Sequence, residues 1–340
     1  MNRKFNSGLI VLAVTVAVSI AAAALELTAG RMRPEESHIR EFRQENRTPG
    51  AGRTKAAARK RGGKSYIAEV HVEGTIQEKG DRYNQQWILS LTEKLRDDPK
   101  NVAMALYINS PGGGVYQADE LYLALQDYKT AGKKIYAYMG PMAASGGYYI
   151  ACAADMIYAN RNTLTGSIGV ISGQSLDMTG FLEKLGIKSE TIHSGKNKNM
   201  MNWNEPFTDE QKEIMQEISD ECYEQFVSIV VARRGLSFSR VRELADGRIY
   251  TAAQALENGL IDSIDSKDNM MRDLAENELD LPGCRTKVFT YERKQTLVDS
   301  LVTGTAGALR QKIESATGIP LNLLTSGENG VRYPAYLLME

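Results

Sequence analysis

The sequence predicts an α/β fold built on a largely parallel sheet, and three observations carry that expectation. From residue 66 onward, short apolar runs alternate with amphipathic stretches at the spacing that right-handed strand–helix–strand crossovers require. Two loops of small residues, Ser110-Pro111-Gly112-Gly113-Gly114 and Ala143-Ala144-Ser145-Gly146-Gly147, each come directly after such a run. In open α/β sheets, loops of this kind gather beyond the carboxyl ends of the strands, where ligands bind.

Tyr66 to Glu73, the first element, alternates enough for a half-exposed strand. Trp87 to Leu95 has helical periodicity, and Val102 to Ile108 is an apolar strand that the proline–glycine loop ends sharply. Val115 to Ala131 reads as a helix with Leu121, Leu125 and Tyr128 on one face. A strand at Lys134 to Met139 leads into the Ser145 turn and a helix reaching about Ala153. Met156 to Ala159 and Ser189 to Ile192 are expected as short strands, with a helix at Thr179 to Leu185 between them. Thr208 to Arg234 is a long amphipathic helix, with Thr208 as N-cap, Gln211 as its capping-box partner, and Asp209 and Glu210 favoured by the dipole in the first turn. Helices at Phe238 to Ala245 and Ala252 to Asn258 and a strand at Lys287 to Tyr291 complete the domain, without internal repeats.

Before this domain, Gly8 to Leu25 runs eighteen residues without a charge. As a helix it would extend about 27 Å, close to the hydrocarbon thickness of a bilayer. Arg3 and Lys4 precede it, which keeps the N-terminus cytoplasmic and places the remainder of the chain outside. The Ala21-Ala22-Ala23-Ala24 run also fits removal as a signal peptide, so anchor and leader both stay open. The expected organisation is a cytoplasmic stub and anchor (1–25), a flexible linker (26–64), the α/β domain (65–293) and a tail (294–340). The linker carries eleven Lys/Arg against four Glu between Arg31 and Lys64, as a solvated tether or a contact for anionic headgroups; a short helix is expected over Glu35 to Asn46.

Composition narrows the chemistry. With a formal net charge of -1 over 340 residues, no global field draws nucleic acid. Cys152, Cys222 and Cys284 are far apart and show no CxxC spacing, which argues against a disulfide framework or a zinc site. No metal or other cofactor is expected.

Acyl transfer needs a nucleophile, a base and donors for the developing oxyanion. Ser145 sits at a strand-to-helix turn among residues small enough to let a substrate backbone approach. The amides of Gly146 and Gly113 are candidate oxyanion donors. None of the three histidines, His38, His71 and His193, lies in a segment built to orient a serine, so the next candidate base is a lysine held neutral. Lys196 and Lys198 in Ser194-Gly195-Lys196-Asn197-Lys198-Asn199 are both candidates, and Ser167 in Thr165-Gly166-Ser167-Ile168-Gly169 offers a hydroxyl to steady the amine. Free lysine has a pKa near 10.4 and a base works near 7, a shift of about 4 to 5 kcal/mol that desolvation can supply. Singly, each motif is an ordinary turn or loop.

As a set, the segments Tyr107 to Gly114 (YINSPGGG), Ala143 to Tyr149 (AASGGYY), Thr163 to Gly169 (TLTGSIG), Gly195 to Lys198 (GKNK) and Ala245 to Asp262 (ADGRIYTAAQALENGLID) resemble the bacterial signal peptide peptidase A family, also called protease IV. The resemblance implies a ClpP/crotonase-like fold of repeated β-β-α units. It implies a single-pass membrane serine endopeptidase, its catalytic domain extracytoplasmic, that degrades cleaved signal peptides and other short apolar peptides. By the same resemblance Ser145 is the nucleophile, Lys198 the general base, Ser167 the residue that steadies it, and Gly113 and Gly146 the oxyanion glycines. The shorter members form homo-oligomeric rings, octamers, in which one subunit's lysine serves its neighbour's serine.

Two other readings compete: a crotonase-type acyl-CoA enzyme, and a catalytically silent membrane-tethered assembly or binding protein of the same fold. In the tail, Leu297 to Ile313 fits an amphipathic helix, and Tyr333-Pro334-Ala335-Tyr336-Leu337-Leu338 is extended and apolar, suited to entering a peptide groove as an added strand. If that tail competes with substrate, deleting residues 326–340 raises the peptidase rate. An unchanged or lower rate counts against self-docking.

Overall fold

The computed structural model describes residues 65–293. The expected anchor, the linker with its short helix, and the tail lie outside the described residues. Among the described residues no helix is long and apolar enough to cross a membrane.

Eight strands form one mixed sheet. They are β1 (Tyr66–Glu73), β2 (Asn101–Ser110), β3 (Lys134–Ala144), β4 (Met156–Ala159), β5 (Leu164–Gly166), β6 (Ile249–Thr251), β7 (Ser263–Ile264) and β8 (Arg285–Phe289). The main path runs β6-β5-β3-β2-β1-β8, and β4 pairs with β3 and carries β7. Every pairing is parallel except β5 with β6. β3 is shared along its length: Tyr136 to Met139 pairs with β4, and Met142 to Ala144 pairs with β5. This fork lets a second short strand end beside the Ser145 turn.

The helices are α1 (Gln85–Asp97), α2 (Val115–Thr130), α3 (Gly146–Ala151), α4 (Thr179–Lys184), α5 (Asp209–Arg234), α6 (Phe238–Leu244), α7 (Ala252–Glu257) and α8 (Lys267–Arg272), which continues as a π-helical turn over Asp273–Glu278. Alternation along the strands sorts the core into two layers. Ala68, Val70 and Val72 of β1 and Met104, Leu106 and Ile108 of β2 join Leu91, Leu121, Leu125 and Ile150 of the helices in the larger cluster. Their neighbours Ile67, Ala103, Ala105 and Tyr136 join Met270 and Leu274 on the opposite face. Polar groups inside the larger layer are paired: Tyr128 donates to Asn101 Oδ1 at 2.6 Å, and Tyr148 donates to the Leu260 carbonyl at 2.8 Å.

The long helix α5 begins as its sequence predicts. Thr208 accepts from the Gln211 amide and the Gln211 side chain caps Thr208 in return, while Arg233 and Arg234 occupy the last turn. Of its 26 residues only Phe226, Val227 and Val230 are buried, so the first half of the helix stands clear of the core.

One expected strand is absent. Ser189 to Ile192 is irregular and exposed, with Ile192 97% exposed, because no sheet edge lies against it. An alternating pattern without a face to bury does not hold a strand. The last strand covers Arg285–Phe289, two residues earlier than Lys287 to Tyr291, its register fixed by parallel pairing of Tyr66 with Arg285.

Burial separates two leucines on α2, Leu121 at 0% exposure and Leu123 at 56%. Leu121→Ala is expected to lower the unfolding free energy by about 2–5 kcal/mol, and Leu123→Ala by less than about 0.5 kcal/mol. Urea unfolding of the two variants checks this.

Candidate active site

Ser145 is the residue between β3 and α3, with φ +51° and ψ -120°. That conformation is sparsely populated for a residue with a side chain and costs on the order of 1–3 kcal/mol. Its amide donates to the Gly166 carbonyl at 2.8 Å, and its carbonyl accepts from the Tyr149 amide at 2.9 Å. The hydroxyl makes no capping bond to α3. The sharp turn therefore directs the side chain away from the helix it precedes, the geometry an exposed nucleophile needs.

The loop after β2 meets this turn. Gly112, at φ +103°, lies so close that an added Cβ would stand 2.7 Å from the Gly146 nitrogen and 2.9 Å from the Ser145 Cβ. Its amide is held by Ser110 Oγ at 3.1 Å. The next residue is clamped by a segment that no sequence signal marks. Ile76, fully buried after β1, donates to the Gly112 carbonyl at 2.8 Å and accepts from the Gly114 amide at 2.9 Å. Gly113 is bridged to Ile76, and a Cβ on it would fall 2.0 Å from the Ile76 carbonyl oxygen. With both neighbours tied down, neither the Gly113 nor the Gly146 amide donates to a backbone acceptor among the described residues. The Gly113 nitrogen is 3.3 Å from where a Gly146 Cβ would stand. Two amides without a backbone acceptor thus belong to residues that line one cavity with Ser145, and the start of α3 adds its dipole there.

Ser167 leaves β5 as Ser145 leaves β3. Ala144 is in register with Gly166, so the two serines occupy matching positions on adjacent strands. Ser167 also has positive φ, +49°, and its amide donates to the Arg248 carbonyl at 2.7 Å. Thr165 Oγ1 ties the strands further, donating to the Ala143 carbonyl at 2.6 Å.

A cavity of about 30 Å³ opens beside these groups, lined by Gly113, Val115, Ala118, Ser145, Gly146, Tyr149, Gly169, Cys222 and Phe226. None of these side chains is a carboxylate, an imidazole or an amine. The structure brings Ser145, Gly113 and Gly146 together and sets Ser167 next to them in register. Lys198 is exposed in the irregular segment before α5 and does not line the cavity. Nearby Lys196 forms an ion pair with Glu210, whose carboxyl the bond holds below its usual range.

The cavity's far wall is not foreseen from the sequence. Cys222 and Phe226 come from α5, where Met215, Ser219, Cys222 and Phe226 share one stripe at helical spacing. That stripe is the available signal, and it reads equally as core. Behind the wall, Tyr149 donates to Asp119 Oδ1 at 2.6 Å and accepts from Gln225 Nε2 at 2.7 Å. Burial, then the Asp119 carboxylate, push the Tyr149 phenol up, so it remains a neutral donor. Cys152, below α3, is fully buried, and desolvation pushes its thiol up to about 12, which makes it inert.

Residues 127–281 match the model of Peptidase family S49. Over 219 residues the chain is 37% identical to "Putative signal peptide peptidase SppA" from Enterococcus faecium, covering 62% of this chain and 63% of that protein. Over 239 residues it is 36% identical to "Putative protease slr0021" from a Synechocystis strain, covering 70% of this chain and 83% of that protein. Among solved structures, a ClpP1 mutant from Listeria monocytogenes overlays with a TM-score of 0.41 at 16% identity, covering 59% of this chain and 94% of that one. The chain spans less than two thirds of the length of the Enterococcus relative. By the extent of its match to the Synechocystis protein, the chain belongs to Peptidase family S49, the signal peptide peptidase A family.

Proposed function

We propose that the chain is a membrane-anchored serine endopeptidase of ClpP/crotonase-like fold that degrades cleaved signal peptides and other short apolar peptides through a Ser/Lys dyad. The observation that carries this reading is the positive-φ turn at Ser145, which lines one apolar cavity together with two glycines whose amides have no backbone acceptor among the described residues. Residues 1–25 form the cytoplasmic stub and anchor, 26–64 the linker, 65–293 the peptidase on the extracytoplasmic side, and 294–340 a C-terminal tail.

In this mechanism the neutral Lys198 amine takes the Ser145 proton as Oγ attacks the substrate carbonyl carbon. The carbonyl oxygen becomes an oxyanion held by the Gly113 and Gly146 amides. Collapse breaks the C–N bond, the lysine ammonium returns its proton to the leaving amine, and an acyl-enzyme remains. Water, deprotonated by the same lysine, then releases the acid and frees Ser145. Ser167 hydrogen-bonds the amine and holds its position. No metal or other cofactor takes part.

The base comes from a second copy of the chain in a ring, an octamer. Two features support this. Among the described residues the cavity of one chain is lined by no base. The segment carrying Lys198 is rich in exposed apolar side chains, among them Ile171, Leu176, Phe181, Leu185 and Trp203, which packing against a neighbour would bury and which would desolvate the lysine. Lys198 is favoured over Lys196 because the Lys196 side chain is already taken up in an ion pair with Glu210. The missing base also favours the silent binding protein as a second reading, and a covalent probe separates the two.

A fluorophosphonate is expected to label the wild-type protein, with label lost in Ser145→Ala and strongly reduced in Lys198→Ala. Mixing the two inactive variants under conditions that exchange subunits restores peptide turnover. Full activity of both single variants, or no labelling of the assembled wild type, contradicts the mechanism. Gly113→Ala drives its methyl into the Ile76 carbonyl and displaces one donor, so kcat is expected to fall about 10²- to 10³-fold with a smaller change in KM. A loss confined to KM would argue against the oxyanion role.

A further inference from the structure

We propose that Thr165 is a positioning residue for peptide hydrolysis: its hydroxyl fixes how Ser145 and Ser167 stand to one another across β3 and β5. The inference rests on the serine-peptidase reading and adds to it a residue that acts through the two serines. Thr165 lies two positions before Ser167, and Ala143 lies two positions before Ser145. The two are paired in register, and Thr165 Oγ1 donates to the Ala143 carbonyl at 2.6 Å. This side-chain rung joins the last regular stretch of both strands before each chain turns into a serine at positive φ, +51° and +49°. Such conformations persist only where the surrounding contacts over-determine them.

β5 is short, and its backbone hold on β3 is correspondingly slight. The ladder to β3 has three register pairs, Met142 to Ala144 with Leu164 to Gly166, and the ladder to β6 another three. β3 is also irregular just before this stretch. Met139 and Ala143 are four positions apart, while their partners on β2, Ile108 and Ser110, are two apart. Thr163 spans that bulge, with its Oγ1 2.8 Å from the Gly140 carbonyl and 3.1 Å from that of Met139. Both threonines are fully buried, and the branched β-carbon restricts where each hydroxyl can point. They differ in what else holds their end of β5. Thr163 is tied by its own backbone, its amide donating to the Asn160 carbonyl at 2.9 Å and its carbonyl accepting from the Ala252 amide at 3.0 Å. No strained residue adjoins it. At the other end Gly166, at φ +83°, lies so close to Tyr250 that an added Cβ would meet its ring at 2.5 Å, and Ser167 follows at once. Loss of the Thr165 rung therefore falls on the end of the strand that carries the chemistry.

The test uses the full-length assembled protein and a peptide that the wild type cleaves. Thr165→Val keeps the shape of the side chain and removes the donor. A displacement of about 1 Å in reacting groups can cost about 100-fold, so kcat is expected to fall about 10- to 100-fold with KM within about threefold of wild type. Thr165→Ser keeps the hydroxyl and is expected to hold kcat within about threefold of wild type. Thr163→Val removes a comparable buried hydroxyl; it is expected to lower the melting temperature and to leave kcat within about threefold. Where Thr165→Val does not fold, Thr165→Ser is compared with Thr165→Ala, which differ by one oxygen, and a ratio of at least about tenfold in kcat is expected. Wild-type kcat in Thr165→Val, equal kcat in Thr165→Ser and Thr165→Ala, or equal losses in the two valine variants overturns the positioning role. With Ser145 of the wild type still labelled by the fluorophosphonate, any of these leaves the peptidase reading intact. No turnover and no labelling of the wild type overturns the peptidase reading itself, and this inference with it.

Discussion

The hydrogen bond from the Ser145 amide to the Gly166 carbonyl, 2.8 Å long, is the constraint on which the rest of the site depends. It holds a residue with a side chain at positive φ one position beyond the Ala144–Gly166 register pair. Without it the chain would relax toward ordinary strand or helix geometry, and the hydroxyl would cap α3 in the manner of any N-terminal serine. The strain of the turn is offset by its surroundings: buried Ala143 and Ala144 on one side, and the fully buried end of α3 on the other. On the opposite flank the Ile76 backbone clamps Gly112 and Gly114 and leaves the Gly113 amide uncommitted. Two strand ends and one loop, each fixed by parallel pairing, therefore converge on a volume of a few ångströms.

Electrostatics divides the molecule differently. The cavity lining is uncharged, whereas the preceding segment and the start of α5 carry Lys196, Lys198, Asp209, Glu210 and Lys212 in the open. An apolar cavity suits a side chain and a desolvated base; it does not provide that base. The segment that carries Lys198 also holds exposed apolar side chains, among them Ile192 and Trp203.

Local chemistry was legible in the sequence. Thr208 and Gln211 announced the start of α5 because a capping box needs only four residues. The two glycine loops announced a close backbone approach because such an approach excludes larger residues, and Gly112 and Gly113 show that exclusion as near-contacts of 2.7 and 2.0 Å for an added Cβ. Features that depend on long-range pairing were not legible. β5, β6 and β7 have three, three and two residues, too few for periodicity, and exist because β3 forks. The Ile76 clamp uses backbone atoms, which leave no trace in residue identity. Phe226 lies far along the chain from Ser145, and its stripe looks like any core face. Ser189 to Ile192 misled for the converse reason: its alternation is genuine, but no sheet edge receives it.

The most direct measurement is a crystal structure of the assembled protein treated with a peptide aldehyde. The expected result is a covalent bond from the aldehyde carbon to Ser145 Oγ, with its oxygen within hydrogen-bond distance of the Gly113 and Gly146 amides. An adduct on another residue, or an oxygen turned away from both amides, would contradict this mechanism.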